Sequence, residues 1–293
     1  MRRVALGLFL VAACRAPDPL DTAPAVSGEL IIEQLGLSSR ALGEASLFLG
    51  TDGTRVLVDV GNDAHAEEIL ARLDDLGGRW VDAIVLTHAH ADHTGGLDAL
   101  LDAGLELRGP IVHRGAVDLD DANTGELAAA LEHPASLALC DDTGCPALPW
   151  SFSLGEATLQ VVAANGFVAT QQGVVPLDVE LSEENARSLV GVLRFGDFQY
   201  VFAGDLTGGG KDTPPVEGAI AALGDDVLGI EPGAVDLLHL NHHGISSSTD
   251  PAWVAWLLGE GRTAQALVGA TGLYLDAPSE EALDAVRPHL GDG

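Results

Sequence analysis

The most constraining feature of this sequence is a short histidine-rich segment that directly follows an apolar run. Residues 80–86 read Trp-Val-Asp-Ala-Ile-Val-Leu, which is typical of a buried strand. Residues 87–96 then read Thr-His-Ala-His-Ala-Asp-His-Thr-Gly-Gly, so three histidines and one aspartate lie within six positions. The two glycines allow the backbone to turn sharply beside them. Imidazole nitrogens and a carboxylate at this spacing predict a site for zinc, manganese or iron.

Apolar patterns on both sides of this segment predict strand pairs followed by helices, twice over. Strands are predicted at residues 29–37, 45–50, 55–60, 80–86, 157–163, 188–195, 198–203, 235–240 and 264–269. Helices are predicted at residues 64–76, 97–102, 251–258 and 279–287. Residues 165–185 and 207–234 are interpreted as loops, and residues 113–150 as a helix with an irregular excursion. This order favours an α/β sandwich with two sheets inside and helices outside.

The first residues predict a targeting segment. Arg2 and Arg3 precede an apolar run from Val4 to Ala13, and Cys14 stands where a bacterial lipobox has its cysteine. An ordinary signal peptide with an incidental cysteine is the alternative. We expect a lipoprotein signal peptide at 1–14, a linker at 15–28 and one domain at 29–293. The protein would be exported and anchored to a lipid bilayer through acylated Cys14, in the periplasm or at the cell surface.

The charge balance limits the partners. With 44 acidic and 14 basic residues, the formal net charge is −30. Such a surface repels phosphate backbones, which proteins usually bind through Lys and Arg. No dedicated nucleic-acid groove is therefore expected, and a monomer is the default.

Two further cysteines lie close together. Cys140 and Cys145 enclose an Asp-Asp-Thr-Gly segment. In an exported protein such a pair predicts a disulfide, with two free thiols as the alternative. A metal site is disfavoured here because no further cysteine remains to complete one.

Residues 88–93 have the form HxHxDH, and with the later landmarks the sequence resembles the metallo-β-lactamase superfamily over roughly residues 29–287. The landmarks are Leu57-Val58-Asp59-Val60-Gly61, Phe202-Ala203-Gly204-Asp205 and Leu238-His239-Leu240-Asn241-His242-His243-Gly244. The segments Asn185-Ala186-Arg187-Ser188-Leu189-Val190 and His242-His243-Gly244 are most similar to the metallo-β-lactamase-like domain of the bacterial DNA-uptake channel protein and its relatives. The resemblance implies a catalytic domain at 29–293 with the four-layer αββα metallo-β-lactamase sandwich.

The resemblance also implies a centre with two divalent metal ions, most simply zinc, with manganese or iron as alternatives. The implied ligands are His88 and His90 for metal one, Asp92, His93 and His243 for metal two, and Asp205 as the bridge. Asp92 would also orient a metal-bound hydroxide, and His242 would donate to the substrate or leaving group. The sequence leaves open whether His242 or His243 is the ligand.

The family's third histidine on metal one has no clear counterpart. His113 and His133 are the candidates, and each is better explained as a residue that binds no metal. His239 is expected in the core or behind a ligand, and His65 at the solvated surface.

The function that the resemblance implies is that of a binuclear metal-dependent hydrolase acting on a phosphodiester or related phosphoester. Hydrolysis of carboxylic esters, lactones or β-lactams at the same site is one alternative. A lipoprotein that binds metal without catalysis is the other.

Overall fold

The computed structural model describes residues 4–7, 28–37, 42–260, 263–269 and 277–290. Its strands in these ranges are β1 Val4–Gly7, β2 Leu30–Gln34, β3 Ser46–Leu49, β4 Arg55–Val58, β5 Trp80–Val81, β6 Ala83–Val85, β7 Glu106–Leu107, β8 Ile111–His113, β9 Ser136–Ala138, β10 Trp150–Leu154, β11 Ala157–Ala164, β12 Phe167–Thr170, β13 Gly173–Pro176, β14 Val190–Phe195, β15 Phe198–Phe202, β16 Leu237–His239 and β17 Gln265–Leu267. Its α-helices are α1 Ala66–Asp75, α2 Ala91–Thr94, α3 Leu97–Asp102, α4 Asp121–Glu132, α5 Val216–Ala221, α6 Pro251–Leu258 and α7 Glu280–Val286.

Two large sheets form the centre of the molecule. The first has the order β1-β2-β3-β4-β6-β8-β9, and the second has the order β13-β12-β11-β14-β15-β16-β17 with β10 paired to β11. Each sheet contains antiparallel hairpins and ends in parallel strands, namely β4, β6, β8 and β9 in the first and β15, β16 and β17 in the second. Every residue of β4 and β6 is buried, as expected for parallel strands covered on both faces.

Three apolar clusters define four layers. The central cluster lies between the sheets and joins Phe48 and Val85 of the first sheet to Leu193 and Phe202 of the second. A second cluster packs α1 and α3 on the outer face of the first sheet. A third packs α5, α6 and α7 on the outer face of the second sheet. This is the predicted αββα sandwich.

The parallel strands bring the histidine-rich segments to one edge of the sandwich. Strand β6 leads into residues 87–93, β15 leads into Ala203-Gly204-Asp205, and β16 leads into residues 240–244. The carboxyl ends of neighbouring parallel strands lie at the same sheet edge, which is where open α/β sheets place their ligands. Both sheets therefore contribute side chains to a single site.

Several elements differ from the prediction. Residues 165–185, interpreted as a loop, contain the hairpin of β12 and β13. The helix α5 lies within residues 207–234, β9 lies within residues 113–150, and β10 begins at the last of these residues.

The prediction of a solvated His65 is wrong, because this side chain is fully buried. Its Nδ1 accepts a hydrogen bond from the main-chain N–H of Asn62 at 3.1 Å. The ring also lies so close to Gly43 and Gly61 that a Cβ at either position would collide with it.

The predicted disulfide is confirmed, since Cys140 and Cys145 are joined and both are buried against the central cluster. Among the helices in the described ranges, none is long and apolar enough to cross a bilayer. Of the predicted signal peptide and linker, only residues 4–7 and 28 are described, and Cys14 lies outside the described residues.

Candidate metal centre

Asp59 fixes the strand end that leads into the HxHxDH segment. Its carboxylate accepts hydrogen bonds from the Thr87 N–H at 2.7 Å and from Thr87 Oγ1 at 2.8 Å, and it lies 2.8 Å from His93 Nδ1. Burial raises the pKa of Asp59, while His93 and Thr87 act in the opposite direction. Because Nδ1 of His93 faces Asp59, Nε2 faces the centre. Carboxylates commonly orient metal-binding histidines in this way.

Glu184 fixes the middle of the same segment from the second half of the chain. Its Oε1 accepts a hydrogen bond from the Ala89 N–H at 2.9 Å, between His88 and His90. Glu184 is itself held by Arg114, whose Nε donates to Oε1 at 2.8 Å. Both side chains are almost completely buried. The pair therefore ties the ligand segment to the chain just before β14.

Asp205 lies at the middle of the site and is 2 % exposed. His93 Nε2 is 3.2 Å from its Oδ1. Three further Nε2 atoms approach its Oδ2: that of His88 at 3.8 Å, that of His242 at 3.5 Å and that of His243 at 3.8 Å. A carboxylate among four imidazoles can bind on two sides.

The potential ligand atoms form two groups that share Asp205. One group is His88, His90 and Asp205, and the other is Glu44, His93, Asp205 and His243, with the donor atoms of each group within 4.8 Å of one another. Asp92 faces the second group, since its Oδ2 is 3.4 Å from His243 Nε2 and 4.0 Å from His93 Nε2. The structure thus brings together all six residues for which the resemblance implied metal binding.

His242 and His243 lie in a tight turn beyond the end of β16, so their side chains do not alternate as they would along a strand. Both residues have left-handed backbone conformations, with φ of 51° and 54°. Such conformations are strained for residues other than glycine and concentrate at functional sites. His243 Nδ1 donates to Gly269 O at 2.6 Å, which leaves Nε2 facing Asp92. His242 turns the other way, with Nδ1 3.2 Å from Ser247 Oγ and Nε2 3.5 Å from Asn185 Nδ2.

The carboxylates make the site favourable for positive charge. Burial disfavours charge on His93, but Asp205, Asp59 and Asp92 together raise its pKa well above the ordinary value. Burial also acts against charge on His243, yet Asp205 and Asp92 raise its pKa to about 11. Burial has the largest effect on the pKa of His88 and holds it well below the ordinary value. A cation at the centre would supply the charge that these carboxylates favour.

Two buried atoms indicate where a metal ion would fit. Within the described part of the chain, neither His93 Nε2 nor Asp205 Oδ1 makes a hydrogen bond of good geometry, although both are buried. Buried polar groups normally have partners, and these two atoms are of the types that bind zinc. The donor set present here therefore fits a divalent cation.

The two other candidate histidines have different roles. His113 is buried, with Nε2 2.8 Å from Ser136 Oγ and Nδ1 accepting from the Gly115 N–H at 3.1 Å. Burial lowers the pKa of His113 to about 4. His133 Nδ1 accepts from the Ala135 N–H at 3.1 Å.

Three buried glutamates at or behind the site were missed by the sequence analysis, namely Glu44, Glu184 and Glu217. The contact of Glu184 joins residues 95 positions apart, which no local pattern reveals. For Glu44 there was a signal, because a single charge precedes the apolar run Leu47-Phe48-Leu49.

Comparison with known proteins gives information that is independent of the geometry of the site. Residues 40–128 match the family model of the metallo-beta-lactamase superfamily. The chain is 43 % identical over 75 residues to the transcription termination factor FttA of Cenarchaeum symbiosum, covering 24 % of this chain and 11 % of that protein. It is 37 % identical over 70 residues to the exodeoxyribonuclease YycJ of Bacillus anthracis, covering 22 % of this chain and 26 % of that protein. The matched segments are thus small parts of these relatives.

Among solved structures, the metallo-beta-lactamase fold protein YhfI of Bacillus subtilis covers 88 % of this chain and 92 % of its own, at 15 % identity and a TM-score of 0.45. The family match contains the whole HxHxDH segment, and the remaining potential ligands meet it at the edge of an αββα sandwich. Residues 40–128 are therefore similar to the metallo-beta-lactamase superfamily, and the potential ligands outside this segment lie beside its HxHxDH residues.

Proposed function

We propose that this protein is a two-metal hydrolase of small phosphodiesters. The observation that carries the proposal is the position of Asp205 between two groups of ligand atoms. A carboxylate shared by two cations is the arrangement that clamps the attacking and leaving oxygens of a displacement at phosphorus. His88, His90 and Asp205 would hold one cation, and Asp92, His93, Asp205 and His243 the other. Zinc suits these ligands best, with manganese or iron as alternatives.

When bound, the two cations would supply a water of lowered pKa and offset the charge that develops on the substrate. The protein's own residues would do the positioning. Asp92 is partly exposed beside His243 and can accept a proton from the attacking water. His242 is half-buried on the other side of Asp205 and can donate to the leaving oxygen.

Asn185 supports a polar substrate on the His242 side. Its side chain is 7 % exposed, its Nδ2 is 3.5 Å from His242 Nε2, and its Oδ1 makes no hydrogen bond among the described residues. Asn185 begins the Asn-x-x-Ser-Leu-Val segment that resembles the DNA-uptake group. The Nδ2 group of this amide can donate to an oxygen of the substrate and keep it in line with His242.

Two observations favour a phosphodiester over a neutral ester. One relative is named as an exodeoxyribonuclease, an enzyme that acts on phosphodiester bonds. The other is Lys211, the single lysine of the chain. Every arginine in the described ranges makes an ion pair or a hydrogen bond, whereas Lys211 is exposed and makes neither with the described residues.

The segment that carries Lys211 is connected to His242 through a chain of contacts. Its neighbour Gly210 packs on the backbone of Ser246, and Ser247 Oγ is 3.2 Å from His242 Nδ1. The exposed ammonium group of Lys211 can attract a small anionic substrate. The charge of −30 disfavours a long nucleic-acid strand, so the proposed substrate is small.

The first test is hydrolysis of bis(p-nitrophenyl) phosphate with zinc or manganese added. We expect turnover by the wild type that a chelator abolishes. Asp92→Ala should reduce it by about 100-fold or more, since even partners outside the ligand set cost 10–100-fold when removed. Asp98→Ala, an exposed aspartate on α3, is the matched control and should retain activity.

The alternatives predict different results. Two bound metals with turnover of p-nitrophenyl acetate or nitrocefin, and none of the diester, would overturn the substrate class. Bound metal without turnover of any of these substrates would favour the lipoprotein that binds metal without catalysis.

We further propose that the protein is exported and held to a bilayer through Cys14, as a monomer. The disulfide between Cys140 and Cys145 supports export, because such bonds persist mainly in oxidising compartments.

A further inference from the structure

Glu44 is a buried carboxylate of the second group of potential ligand atoms, and the mechanism above gives it no role. Glu44 directly precedes Ala45 and β3, and it is 5 % exposed. Its main-chain N–H donates to Asp92 O at 2.9 Å, and its carbonyl accepts from the Gly61 N–H at 2.9 Å. The backbone of Glu44 is thus fixed both to the ligand segment and to the loop after Asp59.

The side chain of Glu44 lies between two histidines of the second sheet. Its Oε1 is 2.6 Å from His239 Nε2, and its Oε2 is 3.2 Å from His243 Nδ1. His243 Nδ1 also donates to Gly269 O, so the ring has two oxygens on the side away from Asp205. Its Nε2 is consequently the atom presented to the ligand group.

The surroundings leave space for this carboxylate. A Cβ at position 269 would lie 2.5 Å from Glu44 Cδ, so Gly269 leaves the room that the carboxylate occupies. A small cavity between the sheets is lined by Glu44, Asp59, Tyr200 and His239. Neither Glu44 Oε2 nor the ring nitrogens of His239 make hydrogen bonds of good geometry with described residues. A buried charge with so few hydrogen bonds is costly unless a nearby positive charge offsets it.

We propose that Glu44 is a positioning residue for the second metal. His239 orients its carboxylate, which holds the His243 ring with Nε2 toward Asp92 and Asp205 and adds a negative charge behind that ring. The inference rests on the proposed metal centre and not on the proposed substrate. Outer partners of metal-binding histidines typically change metal affinity by 10–100-fold.

The test measures metal binding alone. The full chain, freed of metal with a chelator, is titrated with Co²⁺, and binding is followed by calorimetry and by the visible spectrum of the bound ion. The first step denotes binding at His88 and His90, and the second step denotes binding at His93 and His243. We expect Glu44→Gln to leave the first step unchanged and to weaken the second by about 10- to 100-fold. The matched control is Glu33→Gln, which removes another buried carboxylate of the first sheet, paired with Arg72.

A second variant tests the proposal even if Glu44→Gln does not fold. His239→Gln keeps Glu44 but removes its orienting partner, and it should weaken the second step less than Glu44→Gln does. If Glu44→Gln fails to fold, weakening of the second step by His239→Gln upholds the proposal, and wild-type binding by His239→Gln overturns it.

Unchanged binding by a folded Glu44→Gln would overturn the proposal. So would a metal-loaded crystal structure in which Glu44 itself coordinates the ion. A wild type that binds two ions without hydrolysing diesters would overturn only the proposed function, because the affinity difference would remain.

Discussion

At the scale of single residues, four buried carboxylates lie at or next to the potential ligands, and each contacts a different residue there. Asp59 binds Thr87, and Glu184 binds the Ala89 N–H. Glu217 binds Asn241 at the start of the turn that contains His243, and Glu44 contacts the His243 ring. Asp59 could be identified from the sequence because it lies in a local motif. Glu184 and Glu217 could not, because their partners Ala89 and Asn241 lie 95 and 24 positions away in the chain. For Glu44 the only signal was a single charge before the apolar residues of β3.

Lys211 gives a prediction at this scale. Lys211→Gln should raise KM for bis(p-nitrophenyl) phosphate by about two- to fivefold with little change in kcat, because an exposed charge contributes up to roughly 1 kcal/mol. The effect should diminish with added salt, since screening shortens the range of the attraction.

Two controls accompany this prediction. Lys211→Arg keeps the charge and should keep KM, and a neutral ester should not respond to Lys211→Gln. An equal rise in KM for a neutral ester would show that the loop acts through shape and not through charge.

At the scale of elements, the sequence predicts best where apolar runs are long or lead into the ligand segments. The run at 80–86 and the hairpin at 188–203 are present as β5, β6, β14 and β15. Three of the missed elements have physical explanations. Strands β12 and β13 are short and flanked by Gly166 and Gly173, and glycines of this kind also mark loops. Helix α5 follows Pro214-Pro215, which indicated a loop although proline also favours a helix start.

Glu217, in the first turn of α5, joins that helix to the start of α6. Its carboxylate accepts from Asn241 Nδ2 at 2.7 Å, from the Thr249 N–H at 3.0 Å and from the Asp250 N–H at 2.5 Å. Burial raises the pKa of Glu217 to about 7 against these hydrogen bonds, and the nearby Asp250 adds to the rise.

The raised pKa of Glu217 predicts a pH dependence. The folded chain keeps a proton on Glu217 between the ordinary pKa of 4.5 and about 7, whereas the unfolded chain loses it. The stability that the folded chain gains from the proton on Glu217 is therefore complete below pH 4.5 and is lost as the pH rises to about 7. Across this window the free energy of unfolding of the wild type should fall on the order of 3 kcal/mol more than that of Glu217→Gln.

Urea denaturation in the presence of a chelator, at several pH values, measures this difference. Glu231→Gln, at the surface, should follow the wild type. Parallel pH profiles for Glu217→Gln and the wild type would contradict the assignment.

At the scale of the whole molecule, the order of strand pairs and helices was enough to predict the sandwich. The motifs with fixed spacing were enough to name six residues that lie together in the structure, but not Glu44 of the second group. The turn of His242 and His243 was not predictable, because it depends on two consecutive left-handed residues packed below Gly204 and beside Gly269. The packing of the loop at 207–215 on residues 246–250 was not predictable either, because it is a tertiary contact.

The proposed anchor gives a prediction for the whole molecule. In a bacterial host, the full chain should partition with membranes, and Cys14→Ser should release it into the soluble fraction, because the acyl chains are attached at this thiol. The double variant Cys140→Ser and Cys145→Ser keeps Cys14 and should remain with the membrane. Detergent-phase partitioning of each fraction measures the outcome, and a membrane-bound Cys14→Ser would rule out the lipid anchor.

The sharing of the site between the two sheets has a thermodynamic consequence. His88, His90 and His93 follow a strand of the first sheet, and Asp205 and His243 follow strands of the second. A cation coordinated by both sets would cross-link the two halves of the sandwich, so its binding free energy would also be cohesion between the sheets. The metal supply of the compartment would then govern not only turnover but also how long the protein survives there before it opens and is degraded.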